Sequence, residues 1–223
     1  MTGQEIKAVV LDSIPLRKAG RFDEALTLVE GALAQDPEVP TLLSLKGAVL
    51  DDLGRYEEAL ALHEAALDRA PRIAEYVQNV ALQSGAIWRQ QGDTLYALKR
   101  YQEALASYDE ALQLDPEESS YWESRGSTLQ KLRQYSAAVE AYQRANALTP
   151  DNPRTLLGLS SALRSAKRYS EALASAEQAL AHASGNEQVA EAWWRKGHAL
   201  WELRRLEEAL AAIEQACVLQ PTI

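Results

Sequence analysis

The sequence predicts an all-α repeat fold, six copies of one helical unit in tandem, and three observations predict it. The strings GRFDEAL, GRYEEAL, KRYQEAL, RQYSAAV, KRYSEAL and RRLEEAL begin at residues 20, 54, 99, 133, 167 and 204, so the chain repeats with spacings of 34, 45, 34, 34 and 37. Two columns at the underlying 34-residue period hold alanine in every copy. The composition supplies helix formers: alanine and leucine dominate, while threonine, valine, isoleucine and phenylalanine, which suit strands, are sparse.

Allowing one insertion of 11 residues and one of three, the units fall at 6–39, 40–73, 85–118, 119–152, 153–186 and 190–223. With each unit numbered from 1 to 34, place 20 is Ala25, Ala59, Ala104, Ala138, Ala172 and Ala209, and place 27 is Ala32, Ala66, Ala111, Ala145, Ala179 and Ala216. Place 8 is small throughout: Ser13, Gly47, Gly92, Gly126, Ser160 and Gly197. Place 17 is large: Phe22, Tyr56, Tyr101, Tyr135, Tyr169 and Leu206. Place 32 is proline in five units (Pro37, Pro71, Pro116, Pro150, Pro221) and Ser184 in the fifth.

These columns, agreeing at one period, resemble the tetratricopeptide repeat (TPR), a unit of two antiparallel helices, A and B, and the resemblance covers residues 6–223. It implies a TPR solenoid, a right-handed α–α superhelix forming one domain over residues 1–223, with A helices on the concave side and B helices mostly outside. Each column then has a reason. The alanines and the small place 8 let helices A and B approach closely, the place-17 rings fill the space beside them, and the prolines end helix B.

Taken in order, the first unit is the most divergent. Pro15 falls inside its helix A, at a cost of ~3 kcal/mol or more in a helix interior, so that helix is expected to be kinked or short. Between the second and third units, Ala74–Ser84 amounts to almost three helical turns. It either lengthens the third helix A by ~16 Å, making Tyr76, Val77 and Val80 an apolar interaction spur, or breaks at Ser84–Gly85 and folds back as a separate helix. In the later units, Trp88, Trp122 and Trp193 at place 4 and Tyr108 and Tyr142 at place 24 read as core. The sixth unit stops without the polar capping helix that usually ends such arrays, so Leu210, Ile213 and Cys217 are expected to be exposed and self-association is open.

Composition excludes several function classes. A net charge of -9 argues against a nucleic-acid surface, and no stretch approaches the ~20 apolar residues that span a bilayer. MTGQEIKAVVLDSIP has too few consecutive apolar residues for a secretory signal. One cysteine permits no intrachain disulfide, which suits a reducing, cytoplasmic location. No phosphate loop, nucleophile–base pair or metal-ligand spacing appears, so neither an enzyme nor a cofactor or metal is expected.

The resemblance implies that places 2, 5, 9 and 12 of helix A face the groove. Trp194, His198 and Trp201 lie there in one stripe on the last A helix, the sharpest candidate anchor for a bound peptide, set against the plainer reading that the rings only pack on a neighbour. Tyr96 is the other groove aromatic. Groove charges nearly cancel: Lys7, Arg17, Arg89, Arg154 and Arg164 face Asp51, Asp93, Glu123 and Glu191, a net of +1 against -9 for the whole chain. An acidic or mixed ligand segment fits that balance. Of two groove types known in the family, the carboxylate clamp of chaperone-binding repeats is matched only by Arg89 and Arg154, and the asparagine ladder of glycosyltransferase superhelices is missing. The expected function is a non-catalytic scaffold that binds a partner peptide or protein along the third to sixth A helices, near Arg89, Asp93, Tyr96, Glu123, Arg154, Arg164, Trp194, His198 and Trp201. A self-assembling homo-oligomer and a regulatory segment of a larger enzyme are the alternatives.

Overall fold

The computed structural model describes residues 1–73 and 80–219. Twelve α-helices and no strand are found among these residues: α1 (Gly3–Lys18), α2 (Phe22–Gln35), α3 (Pro40–Asp52), α4 (Tyr56–Ile73), α5 (Val80–Ala97), α6 (Tyr101–Leu114), α7 (Ser119–Lys131), α8 (Tyr135–Leu148), α9 (Pro153–Ser165), α10 (Tyr169–His182), α11 (Asn186–Glu202) and α12 (Leu206–Leu219). Odd helices are A and even helices B. The chain packs as two compact units of three repeats each, Met1–Pro116 and Glu117–Ile223. Within each, every helix packs on its neighbour in sequence, and A helices also touch the next A helix: α1 on α3 and α3 on α5 in the first, α7 on α9 and α9 on α11 in the second.

The turn from A to B is one motif made six times. Place 15 lies in the left-handed region in every repeat, at Gly20, Gly54, Lys99, Arg133, Lys167 and Arg204, with φ between 60° and 73°. The amide of the next residue then donates back to a leucine carbonyl five residues earlier, as in Arg21 to Leu16 (2.9 Å), Arg100 to Leu95 (2.8 Å) and Gln134 to Leu129 (2.9 Å). This is the Schellman closure, which satisfies helix A's last carbonyls and reverses the chain within four residues.

Place-20 and place-27 alanines are 0–5% exposed throughout. The place-8 glycines have a more specific partner than a helix backbone: a Cβ on Gly92 would lie 2.6 Å from the Tyr108 ring, one on Gly126 2.9 Å from Tyr142, and one on Gly47 2.6 Å from His63. Those rings are at place 24. Where place 24 is smaller, Val29 or Ala176, place 8 is serine. The two columns exchange volume, as close packing requires.

Two expectations need correction, and one of two open alternatives is settled. α1 is not short: it spans 16 residues, and Pro15 sits near its end, where the missing N–H forfeits only the ladder bond to Leu11. Pro71 does not end its B helix, since α4 continues to Ile73. Nor does Ser84–Gly85 break the chain, because α5 runs through it unbroken from Val80 to Ala97 and so extends the third A helix at its N-terminal side. Tyr76, Val77 and the side chain of Val80, the expected spur, lie outside the described residues.

Candidate functional site

In the unit Glu117–Ile223, α7, α9 and α11 lie side by side, and their groove places carry a connected set of side chains. Trp194 and His198, one turn apart on α11, meet edge to face with ring centroids 4.7 Å apart and planes at 71°. One turn further on, Trp201 is 57% exposed, which for so large an apolar ring is unusual. From α9, Arg164 reaches toward the same turn, its Nη1 3.8 Å from an oxygen of Glu202. Burial depresses the basicity of His198, and the positive charges of Arg164 and Arg195 depress it further, while Glu202 opposes them. The imidazole is therefore held toward its neutral form, able to accept or donate one hydrogen bond. Glu202 was not among the sequence candidates; as the next residue after Trp201 it falls outside the groove places, and only packing shows its pairing with Arg164.

At the other end of this face, Glu123 on α7 is largely buried and gathers α9 to α7. It accepts from Thr155 and, at 3.3 Å, from Asn152. Arg154 approaches it only at 3.9 Å and leaves 86% of its side chain in solvent. The structure thus brings Arg164, Trp194, His198 and Trp201 together and makes Glu123 a structural tie between helices. Arg154 remains a nearly unengaged cation beside it.

In the unit Met1–Pro116 the candidates are committed internally. Arg89 pairs with Asp93 on the next turn of α5, and Asp93 also accepts from the Tyr108 hydroxyl at 2.8 Å. Burial raises the Asp93 pKa, with Arg89 and the Tyr108 bond pulling the other way. Tyr96 is no open anchor: it packs against the cluster of Leu60, Leu95, Ala104 and Tyr108 and meets Tyr101 edge to face at 5.3 Å. Sequence reasoning missed a small recess here, about 130 Å³, whose lining includes Val10, Thr41, Ala86, Ile87 and Gln90. Its sequence signal is the run of small residues at groove places 2 and 5, Thr41, Ser44 and Ala86.

Ser44, His63 and Asp51 also fall in line, with Ser44 Oγ 3.4 Å from His63 Nδ1 and His63 Nε2 3.2 Å from Asp51. The set resembles a nucleophile, base and acid only in outline. His63 is fully buried and Ser44 is 3% exposed, and the serine's single proton is directed at Gln90. Thr94 completes the array by donating to Asp51 at 2.8 Å, so it joins α3, α4 and α5.

Two tetratricopeptide-repeat family models match, one over residues 85–118 and the other over 16–72, 123–187 and 159–222. The chain belongs to the tetratricopeptide-repeat family. Its proteins are, in general, non-catalytic scaffolds that bind protein or peptide partners. No curated protein sequence matches it. Among solved structures, PilF of Pseudomonas aeruginosa is similar at 19% identity with a TM-score of 0.77, covering 99% of this chain and 94% of that one. YrrB, described as a TPR protein with an unusual peptide-binding site, is similar at 20% identity and TM-score 0.66, covering 87% and 93%. A chain of the APC/C heterotetramer Cut9–Hcn1 is similar at 18% identity and a TM-score of 0.72, covering 92% of this TPR chain but 38% of its own. At such identities the likeness is one of fold. No helix among the described residues of this TPR protein is long and apolar enough to cross a membrane.

Proposed function

We propose that this TPR chain is a non-catalytic scaffold holding a partner peptide or protein segment on the A-helix face of α9 and α11. The observation that carries the reading is Trp201, more than half exposed on a groove place, with the Trp194–His198 pair one turn behind it. An exposed indole backed by a second ring is preformed apolar surface, and its burial by a partner costs little side-chain entropy. Arg164, loosely paired, and Arg154, nearly free, stand on the neighbouring helix to meet carboxylates. The peptide site reported for YrrB supports a peptide as the ligand class.

The test is to select peptides against the whole chain from a displayed library and measure their affinity for the double variant W194A/W201A. A loss of about 2–4 kcal/mol, typical of a central aromatic anchor, is expected in a variant that thermal melting shows to be folded at the assay temperature. Unchanged affinity would place the partner elsewhere. A second reading, self-association through α12, is favoured by Leu206, Leu210 and Val218, which are 48%, 60% and 77% exposed. Light scattering over a concentration series separates the two: mass rising above 24.6 kDa, and restored to it by Leu210→Glu, supports association.

A further inference from the structure

In five of the six A-to-B turns, the place-16 arginine donates through Nε and Nη2 to both oxygens of the glutamate three residues on. The pairs are Arg21–Glu24, Arg55–Glu58, Arg100–Glu103, Arg168–Glu171 and Arg205–Glu208, with bonds of 2.5–2.7 Å. The fourth repeat loses both partners at once, to Gln134 and Ala137. The space beside them is a recess of about 590 Å³, lined by these two residues and by Arg133, Ser136, Ser165 and Lys167 among others.

The lining carries two cations, hydroxyls of which Ser136 is exposed, and an amide, and no carboxylate, in a chain of net charge -9. Among the described residues no acid pairs with Arg133 or Lys167, whereas most arginines of the chain are paired. Both cations occupy the left-handed place 15 of adjacent turns, so they stand on rigid Schellman closures rather than on mobile loops. The fourth repeat lacks the clamp's arginine as well as its glutamate, so an oxyanion entering here meets not a place-16 arginine but the place-15 cations Arg133 and Lys167. Its charge is met by two cations held at fixed backbone positions, and its free oxygens by serine and glutamine donors.

We propose that this recess docks an oxyanion, a carboxylate or a phosphoryl group, borne by an acidic segment of a partner protein. It lies on places 13–19, away from groove places 2, 5, 9 and 12, and does not depend on the Trp194–Trp201 site.

The experiment is fluorescence anisotropy on the whole chain with two labelled peptides of equal length and about equal net charge, one carrying about seven glutamates and the other four phosphoserines, at low salt. The decisive variant is Q134R/A137E, which rebuilds the internal clamp and leaves net charge unchanged. R133Q/K167Q is the second, and thermal melting shows which of the two is native, so that either one carries the comparison. At least one peptide is expected to bind wild type, with tenfold or greater weakening in the double variants. Lys99→Gln, at the same turn place of the third repeat, is expected to stay within twofold. Tighter binding of the phosphoserine peptide assigns a phosphoryl group, and equal binding a carboxylate. The proposal is overturned if neither peptide binds, if a native double variant binds as tightly as wild type, or if Lys99→Gln weakens binding as much.

Discussion

At place 8 a single hydrogen atom decides whether a ring fits. Tyr142 is caught between Gly126 on its own A helix and Gly158 on the next, and a Cβ on either would fall inside van der Waals distance of its ring. Gly126→Ala gains about 1 kcal/mol of helix propensity but forces an overpacking strain of about 1–3 kcal/mol on a ring with nowhere to move. Net destabilisation of up to about 2 kcal/mol is expected in urea melts. In a Tyr142→Ala background the same change should become stabilising, which distinguishes the clash from a general effect of the helix. His198 gives a residue-scale pH effect. Its folded pKa lies below the ordinary histidine value, so the unfolded chain takes up the proton first, and stability is full above about pH 6.5 and declines as pH falls through it. His198→Gln should flatten that decline between pH 7 and 5; a decline identical to wild type would refute the assignment.

Elements here are ended more firmly than they are begun. Several B helices start without a side-chain cap, yet every A helix ends in the same left-handed closure. Glycine occupies that place twice, and four larger side chains are held there at positive φ. A non-glycine residue there costs about 1–2 kcal/mol, offset in part by the greater freedom that glycine restores to the unfolded chain. Lys99→Gly is therefore expected to stabilise by about 0.5–1 kcal/mol. The same change at an ordinary helical lysine such as Lys46 should destabilise by about 1 kcal/mol. The string RQYSAAV already displayed the lost arginine and glutamate of the fourth turn. What the string could not display was that the two side chains pair with each other, because that requires the geometry of the turn.

For the molecule as a whole, stability in a repeat array is a sum of units and nearest-neighbour interfaces. Gly126 and Gly197 have separate ring and side-chain partners, Tyr142 and Ile213. The destabilisation of G126A/G197A should accordingly equal the two single effects within about 0.3–0.5 kcal/mol. A markedly larger effect would mean that the two sites are energetically coupled through the repeats between them. Partner binding through Trp194 and Trp201 should in turn be insensitive to Gly47→Ala, which acts on His63 in the other unit, so long as the protein remains folded.

By itself the sequence determined the all-α class, the alanine seams and the residues of the turns, because each depends on local spacing that recurs at one period. It also marked Trp194, His198 and Trp201 as one stripe, since residues three and four apart share a helical face. Only the tertiary structure decided which groove residues remain available. Tyr96 and Arg89 share the sequence signature of Trp201 and Arg164, but one packs into a core cluster and the other is held by Asp93, whereas Trp201 stays in solvent. Availability depends on what the neighbouring helix places opposite a side chain. That is a relation between residues distant along the chain, and no period within one helix encodes it.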